Sequence, residues 1–191
     1  MTLKPLYGLM LAGALASTSV IAADYVIDTQ GAHASINFRI DHLGVSYVVG
    51  RFNEFEGRFH YDADNLDATT VEVDINVASV DSNHAERDRH IRSGDYLDVS
   101  RFADARFVST AYTDQGDGKG VLEGDLTLYG QTLPISIDVE KVGEGQDPWG
   151  GYRAGFTGTT VLNLPDFGMN FNLGPRAEQV HLDLVIEGIR Q

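Results

Sequence analysis

Apolar residues recur at every second position along most of this chain, and that alternation limits the fold more than any other feature. Residues 35–41 (SINFRID) set Ile36, Phe38 and Ile40 against Ser35, Asn37, Arg39 and Asp41. Successive side chains of an extended strand point to opposite faces, so this is a strand with one dry face. The same pattern holds for Val71, Val73, Ile75 and Val77, for Leu122, Leu126 and Leu128, for Leu133, Ile135, Ile137 and Val139, and for Val180, Leu182, Leu184 and Ile186. Gly-rich and Asp-rich breaks fall at 62–67, 114–120, 143–151 and 172–176. Such residues favour tight turns, so the connections read as hairpins.

Strand segments near 24–28, 33–42, 46–61, 70–80, 105–113, 119–129, 132–143, 151–163 and 178–189 give eight or nine strands. Within 46–61 the parity changes: Val48, Gly50 and Phe52 share one face, and Phe55, Gly57, Phe59 and Tyr61 the other. A bulge near Asn53 and Glu54 reconciles them. An antiparallel sheet this long with one apolar face must close or fold on itself, which predicts a barrel, with a β-sandwich as the alternative that alternation also allows. Residues 81–92 (DSNHAERDRHIR) lose the period of two. Asn83 with Glu86 three residues later predicts an N-cap, and Gly94 a stop, for a short helix able to plug a barrel end.

With 191 residues the chain has the length of one domain. Its 28 Asp and Glu outnumber 14 Lys and Arg, for a net charge of -14. That balance argues against nucleic acid and anionic membrane surfaces as partners. There is no Cys, which excludes disulfides, thiolate metal sites and a cysteine nucleophile. The first residues differ in kind. Lys4 precedes an apolar stretch at 6–16 that is too short to span a bilayer, and Val20 and Ala22 are small residues suited to a cleavage site. The expectation is a cleaved signal peptide over 1–22 and a single exported domain over 23–191, with no transmembrane segment in the mature chain.

Catalytic and metal motifs find little support. The His residues at 33, 42, 60, 84, 90 and 181 form no HExxH pattern. The calcium-like DADNLD at 62–67 has Asp67 where glycine is needed and Val73 where the closing glutamate belongs. Gly116, Gly118 and Gly120 precede a strand instead of a helix, and no GxSxG elbow occurs. No metal, no cofactor and no enzymatic activity are expected. The barrel interior is what remains. Small residues at Gly50, Gly57, Ala111, Gly124, Ala154 and Gly158 are read as facing inward together with Phe38, Phe59, Phe107, Phe156, Leu126, Leu162 and Leu184. Two interiors fit this set: a filled core, or an elongated apolar cavity suited to a hydrocarbon chain, worth roughly 0.8 kcal/mol per buried methylene.

The segments DHLG at 41–44, SVDSNHAERDRHIRSGDYLD at 79–98, GDLTLYG at 124–130 and DPWGGYRAGF at 147–156 closely resemble the YceI family of exported bacterial proteins. The resemblance runs over the whole mature chain. It implies an all-β fold: an antiparallel, eight-stranded, extended lipocalin-like barrel with one short helical segment near residues 83–92. It also implies a periplasmic protein whose lumen binds, transports or stores a polyisoprenoid or similar amphipathic lipid with a long apolar chain, isoprenoid quinones included, without a settled enzymatic activity. The candidate ligand-binding residues are Phe38, Ile40, His42, Phe59, Val73, Ile75, Arg87, His90, Phe107, Leu126, Leu128, Ile135, Ile137, Phe156, Leu162 and Leu184.

For His42 two readings stand, a headgroup contact near a mouth or a satisfied core histidine. Arg87, His90 and Arg92 either meet a diphosphate or quinone oxygen, or pair with Glu86, Asp88 and Asp95 to fix the helix on the barrel. Trp149 is expected to close a barrel end. A homodimer through edge strands stays open. Two other functions are carried beside lipid binding: an enzyme of isoprenoid or quinone metabolism using His42 or the 84–92 segment, and a stress-associated scaffold whose barrel is filled.

Overall fold

A computed structural model describes residues 22–171 and 174–191 of the chain. The expected signal peptide lies, but for Ala22, outside the described residues, as do two positions of the turn expected at 172–176. The strands are β1 (Ala23–Ile27), β2 (Ser35–His42), β3 (Ser46–Phe52), β4 (Phe55–Tyr61), β5 (Thr70–Asn76), β6 (Val80–Asp81), β7 (Asp104–Gly116), β8 (Lys119–Leu128), β9 (Gln131–Gln146), β10 (Tyr152–Asn163) and β11 (Gln179–Arg190). A helix, α1 (Ala85–Ile91), stands between β6 and β7. Among the described residues no helix is long and apolar enough to cross a membrane.

Every strand pairing is antiparallel, and the sheet closes through β11. Val180 to Val185 of β11 pair with β2, while Gly188 to Arg190 pair with β1. β1 and β2 therefore act as one interrupted stave. β3 with β4, and β5 with β6, behave likewise, because β4 pairs with β1 and β5 whereas β3 pairs with β2 and β6. The result is a closed barrel of eight staves rather than a sandwich. Closure runs through β11, but two stretches lack a neighbour on one side among the described residues: Ser46–Gly50 of β3, which meets β6 only at Arg51 and Phe52, and Gln131–Ile137 of β9, which pairs with β10 only from Asp138 onward.

The break at Asn53 and Glu54 falls where the parity changes. Its backbone is satisfied across the gap, with Asn53 N donating to Ser79 O at 3.2 Å and Glu54 N to Ser79 Oγ at 3.0 Å. Phe52 and Phe55 both pack on the interior as a result. Close packing sets other choices. At Gly124 an added Cβ would collide with the Phe107 ring, and at Gly188 with the Phe59 ring. Phe59 in turn stacks on Tyr25 with ring centres 4.8 Å apart and meets Phe156 edge-on at 5.6 Å.

Three sequence expectations are corrected. Ala111 is exposed, because a bulge at Thr110 in β7 shifts the register against β8 and turns Tyr112 inward in its place. The helix cap is His84, whose Nδ1 accepts from Arg87 N at 3.2 Å; Asn83 precedes it in a left-handed conformation with φ of 61°. Gly94 does not end α1. The helix stops at Ile91, and the chain folds back so that Leu97 N reaches Ile91 O at 2.9 Å and Val99 N reaches Arg92 O at 3.2 Å.

Candidate binding lumen

The inward faces of the staves enclose two apolar chambers. The first, about 150 Å³, lies among Phe59, Tyr61, Val73, Phe107, Tyr112, Leu122, Ile137, Val139 and Phe156. The second, about 380 Å³, lies toward α1 among Phe38, Ile40, Phe52, Val80, Ile91, Tyr96, Leu128, Leu162 and Phe171. Ile36, Ile75, Leu126 and Leu182 line both, so the chambers meet at a waist. A concave, mostly apolar space with few polar groups is the ordinary form of a small-molecule site.

All the sequence-derived candidates stand on these walls. Phe59, Val73, Phe107, Ile135, Ile137, Phe156 and Leu184 line the first chamber. Phe38, Ile40, His42, Arg87, His90, Leu128 and Leu162 line the second, and Ile75 and Leu126 line both. Sequence reasoning missed Tyr61, Tyr112, Tyr96 and Phe171. Tyr61 carried the right parity and was legible; Tyr112 was hidden by its bulge, and Tyr96 and Phe171 sit outside any periodic strand.

The α1 end carries polar side chains and is held by their hydrogen bonds to side chains and backbone. Asp88, 5% exposed, accepts from Ser82 N at 2.8 Å and from Ser82 Oγ. Arg87 Nε donates to the same Ser82 Oγ at 2.7 Å, and Arg87 Nη2 to Ser82 O at 2.5 Å. Of the expected partners, only His90 with Asp95 forms, at 3.4 Å; Glu86 pairs with Arg89 at 2.8 Å, and Arg92 Nη2 donates to Val80 O at 3.3 Å. His42 is exposed on the rim at the end of β2, so it is not a core histidine.

The opposite end is made by strand residues. A bulge at Val142 lets Lys141 pair with Phe156, and Glu144 with Ala154, so both long side chains share the interior face. Lys141 Nζ donates to Tyr61 Oη at 3.0 Å and to Glu144 Oε1 at 2.8 Å, and lies over the Tyr61 ring at 4.8 Å. Burial opposes the charge on Lys141, but its hydrogen bonds to Glu144 and Tyr61 outweigh that and raise its pKa. Burial, then the Glu144 carboxylate, pushes the Tyr25 phenol above its ordinary value.

Outside this end, Arg153 joins three carboxylates. Its Nη1 lies 2.6 Å from both Asp28 Oδ2 and Glu187 Oε1, and its Nε 2.8 Å from Asp147 Oδ2. The bond from Arg153, then that from His33, holds Asp28 down to about 2. Asp28, His33 and Glu187 are the one group of potential metal ligands found together among the described residues. The Arg153 guanidinium already sits on two of them, so a cation there would have to displace it. Trp149 does not close the barrel: it is 78% exposed on the β9–β10 connection, with Arg153 over its ring at 5.8 Å.

A sequence profile of the YceI-like domain matches residues 25–188. The chain is 57% identical over 189 residues to a UPF0312 protein of Shewanella sp. (strain ANA-3), covering 98% of this chain and 99% of that one. It superposes on BcnA of Burkholderia cenocepacia with a TM-score of 0.74 at 18% identity, covering 84% of this chain and 98% of the other. A polyisoprenoid-binding domain from Saccharophagus degradans, implicated in plant cell wall breakdown, gives 0.61 at 13% identity, over 90% and 100% of the two chains. At these identities the two structures show a shared fold.

Proposed function

From the premise that the chain belongs to the YceI-like family, we propose that it binds an amphipathic lipid with a long apolar chain, of polyisoprenoid or isoprenoid-quinone type, inside the barrel. The observation that carries this reading is the pair of apolar chambers meeting at Ile36, Ile75, Leu126 and Leu182. Burying a chain there gains about 0.8 kcal/mol per methylene, so roughly ten methylenes offset the cost of association at micromolar concentrations. The polyisoprenoid-binding domain that shares the fold supports the same ligand class. The site is one of binding without turnover, serving transport or storage in the periplasm after removal of residues 1–22, and it calls for no other cofactor.

The test is native mass spectrometry of the mature protein purified from the periplasm of its own cells, followed by organic extraction. A stoichiometric polyprenyl or quinone species is expected. Ligand-free protein that also refuses added polyprenyl lipid would overturn the proposal and favour a scaffold.

A further inference from the structure

The first chamber is mostly apolar, with Thr69, Thr157 and Thr160 on its wall, and ends, away from α1, on two phenols. Tyr61 and Tyr112 both line it. Behind Tyr61 stands Lys141, donating to the phenol oxygen at 3.0 Å. That bond decides where the Tyr61 proton goes. Its oxygen is occupied as an acceptor, and no acceptor among the described residues takes its O–H, although the residue is only 7% exposed. A phenol whose oxygen accepts from an ammonium is a stronger donor in turn, because hydrogen bonds in a chain polarise one another. A buried donor without an acceptor is costly, so a group entering the chamber gains by supplying one.

The charge around this donor selects the group. Lys141 is matched by Glu144 at 2.8 Å, so the pair offers no net positive charge to an anion. Glu144 Oε2 is buried and finds no donor among the described residues, and the hydroxyl of Tyr25, a residue 1% exposed, likewise finds no partner. A diphosphate or carboxylate brought here would lose its hydration beside a carboxylate. A neutral oxygen carries no charge to desolvate and can accept from the phenol.

We propose that the end of the lumen opposite α1 anchors an uncharged, oxygen-bearing head, a hydroxyl or carbonyl, which accepts a hydrogen bond from Tyr61 while the apolar chain runs through the waist toward α1. The proposal rests on the lipid-binding reading and deepens it by giving the ligand a head chemistry and an orientation. In this arrangement Tyr61 is the binding residue, Lys141 positions and polarises it, and Glu144 neutralises Lys141.

The experiment compares three probes of one chain type, farnesol, farnesene and farnesyl diphosphate, by titration into delipidated wild-type protein and into Tyr61→Phe, with a thermal melt to confirm that the variant is folded. Wild type is expected to bind farnesol roughly tenfold more tightly than farnesene, the worth of one buried hydrogen bond. Tyr61→Phe should erase that preference. Equal binding of farnesol and farnesene by wild type overturns the anchor while leaving lipid binding intact, and this comparison needs no variant. A preference that survives in Tyr61→Phe, or a diphosphate that binds most tightly and depends on Tyr61, also overturns it. Failure of wild type to bind any of the three takes down the lipid-binding reading and the anchor together.

Discussion

At the α1 end the lumen is covered by pieces that belong to no stave: α1 itself, the turn through Tyr96 and Leu97, and the stretch carrying Met169 and Phe171. At the opposite end the staves close it with their own side chains, the stacked Tyr25 and Phe59, the edge-on Phe156 and Tyr61, and the Lys141–Glu144 pair. The first cover is tied to the barrel by a few bonds to Ser82 and Val80, whereas the second is continuous with the sheet and stapled outside by Arg153. Elements with few cross-sheet bonds open at lower free energy than the sheet that carries them. The α1 end is thus expected to open at lower free energy than the end made by the staves.

The largest expected effect comes from separating the two ends at the waist. Leu126→Trp fills the junction, so a long chain can occupy only one chamber. Four methylenes excluded at about 0.8 kcal/mol each weaken long-chain binding on the order of a hundredfold, while a chain short enough for one chamber keeps its affinity. Equal losses for short and long chains in a titration series would mean that the chambers are not used in sequence.

A smaller effect tests the anchoring of the α1 end. Asp88→Ala leaves the Ser82 amide and hydroxyl without their acceptor, and unpaired buried groups cost about 1–3 kcal/mol each. Denaturant unfolding should register a loss of about 2–4 kcal/mol, and hydrogen exchange should quicken across 84–99 while 152–163 keeps its protection. Uniform quickening would show that the two ends are not independent.

The smallest effect is at the other end and depends on pH. Asp28 titrates near 2 when folded and near 3.8 when free of its partners. The folded state therefore binds fewer protons between these values, so the contribution of Asp28 is present above about 3.8 and is lost as pH falls through about 2. Melting temperature should decline over that window, and less steeply in Arg153→Met, where Asp28 has lost its main partner. Coinciding slopes would remove Arg153 as the staple of this end.

Much of this architecture was legible residue by residue. Ile36, Phe38 and Ile40, or Leu133, Ile135, Ile137 and Val139, declare their face through a local period, and the parity change after Phe52 located a real break between β3 and β4. Ala111 shows the limit, because one extra residue in a bulge reverses the parity of every later position in the strand and leaves no mark in composition. The cap at His84 was missed because Asn83 is the better capping residue by type, but it lies one residue earlier with φ of 61°, whereas the cap needs the extended backbone that His84 adopts.

The amino-acid sequence by itself determined the set of strands and which face of each is dry, since both follow from contacts between neighbours one or two residues apart. Only the tertiary structure decided that the sheet closes, that the interior stays open at two chambers, and which polar groups meet at each end. Lys141 and Tyr61 are 80 positions apart in the chain. Their meeting depends on the register of several staves and on the bulge at Val142, and no local pattern records a register summed around a barrel.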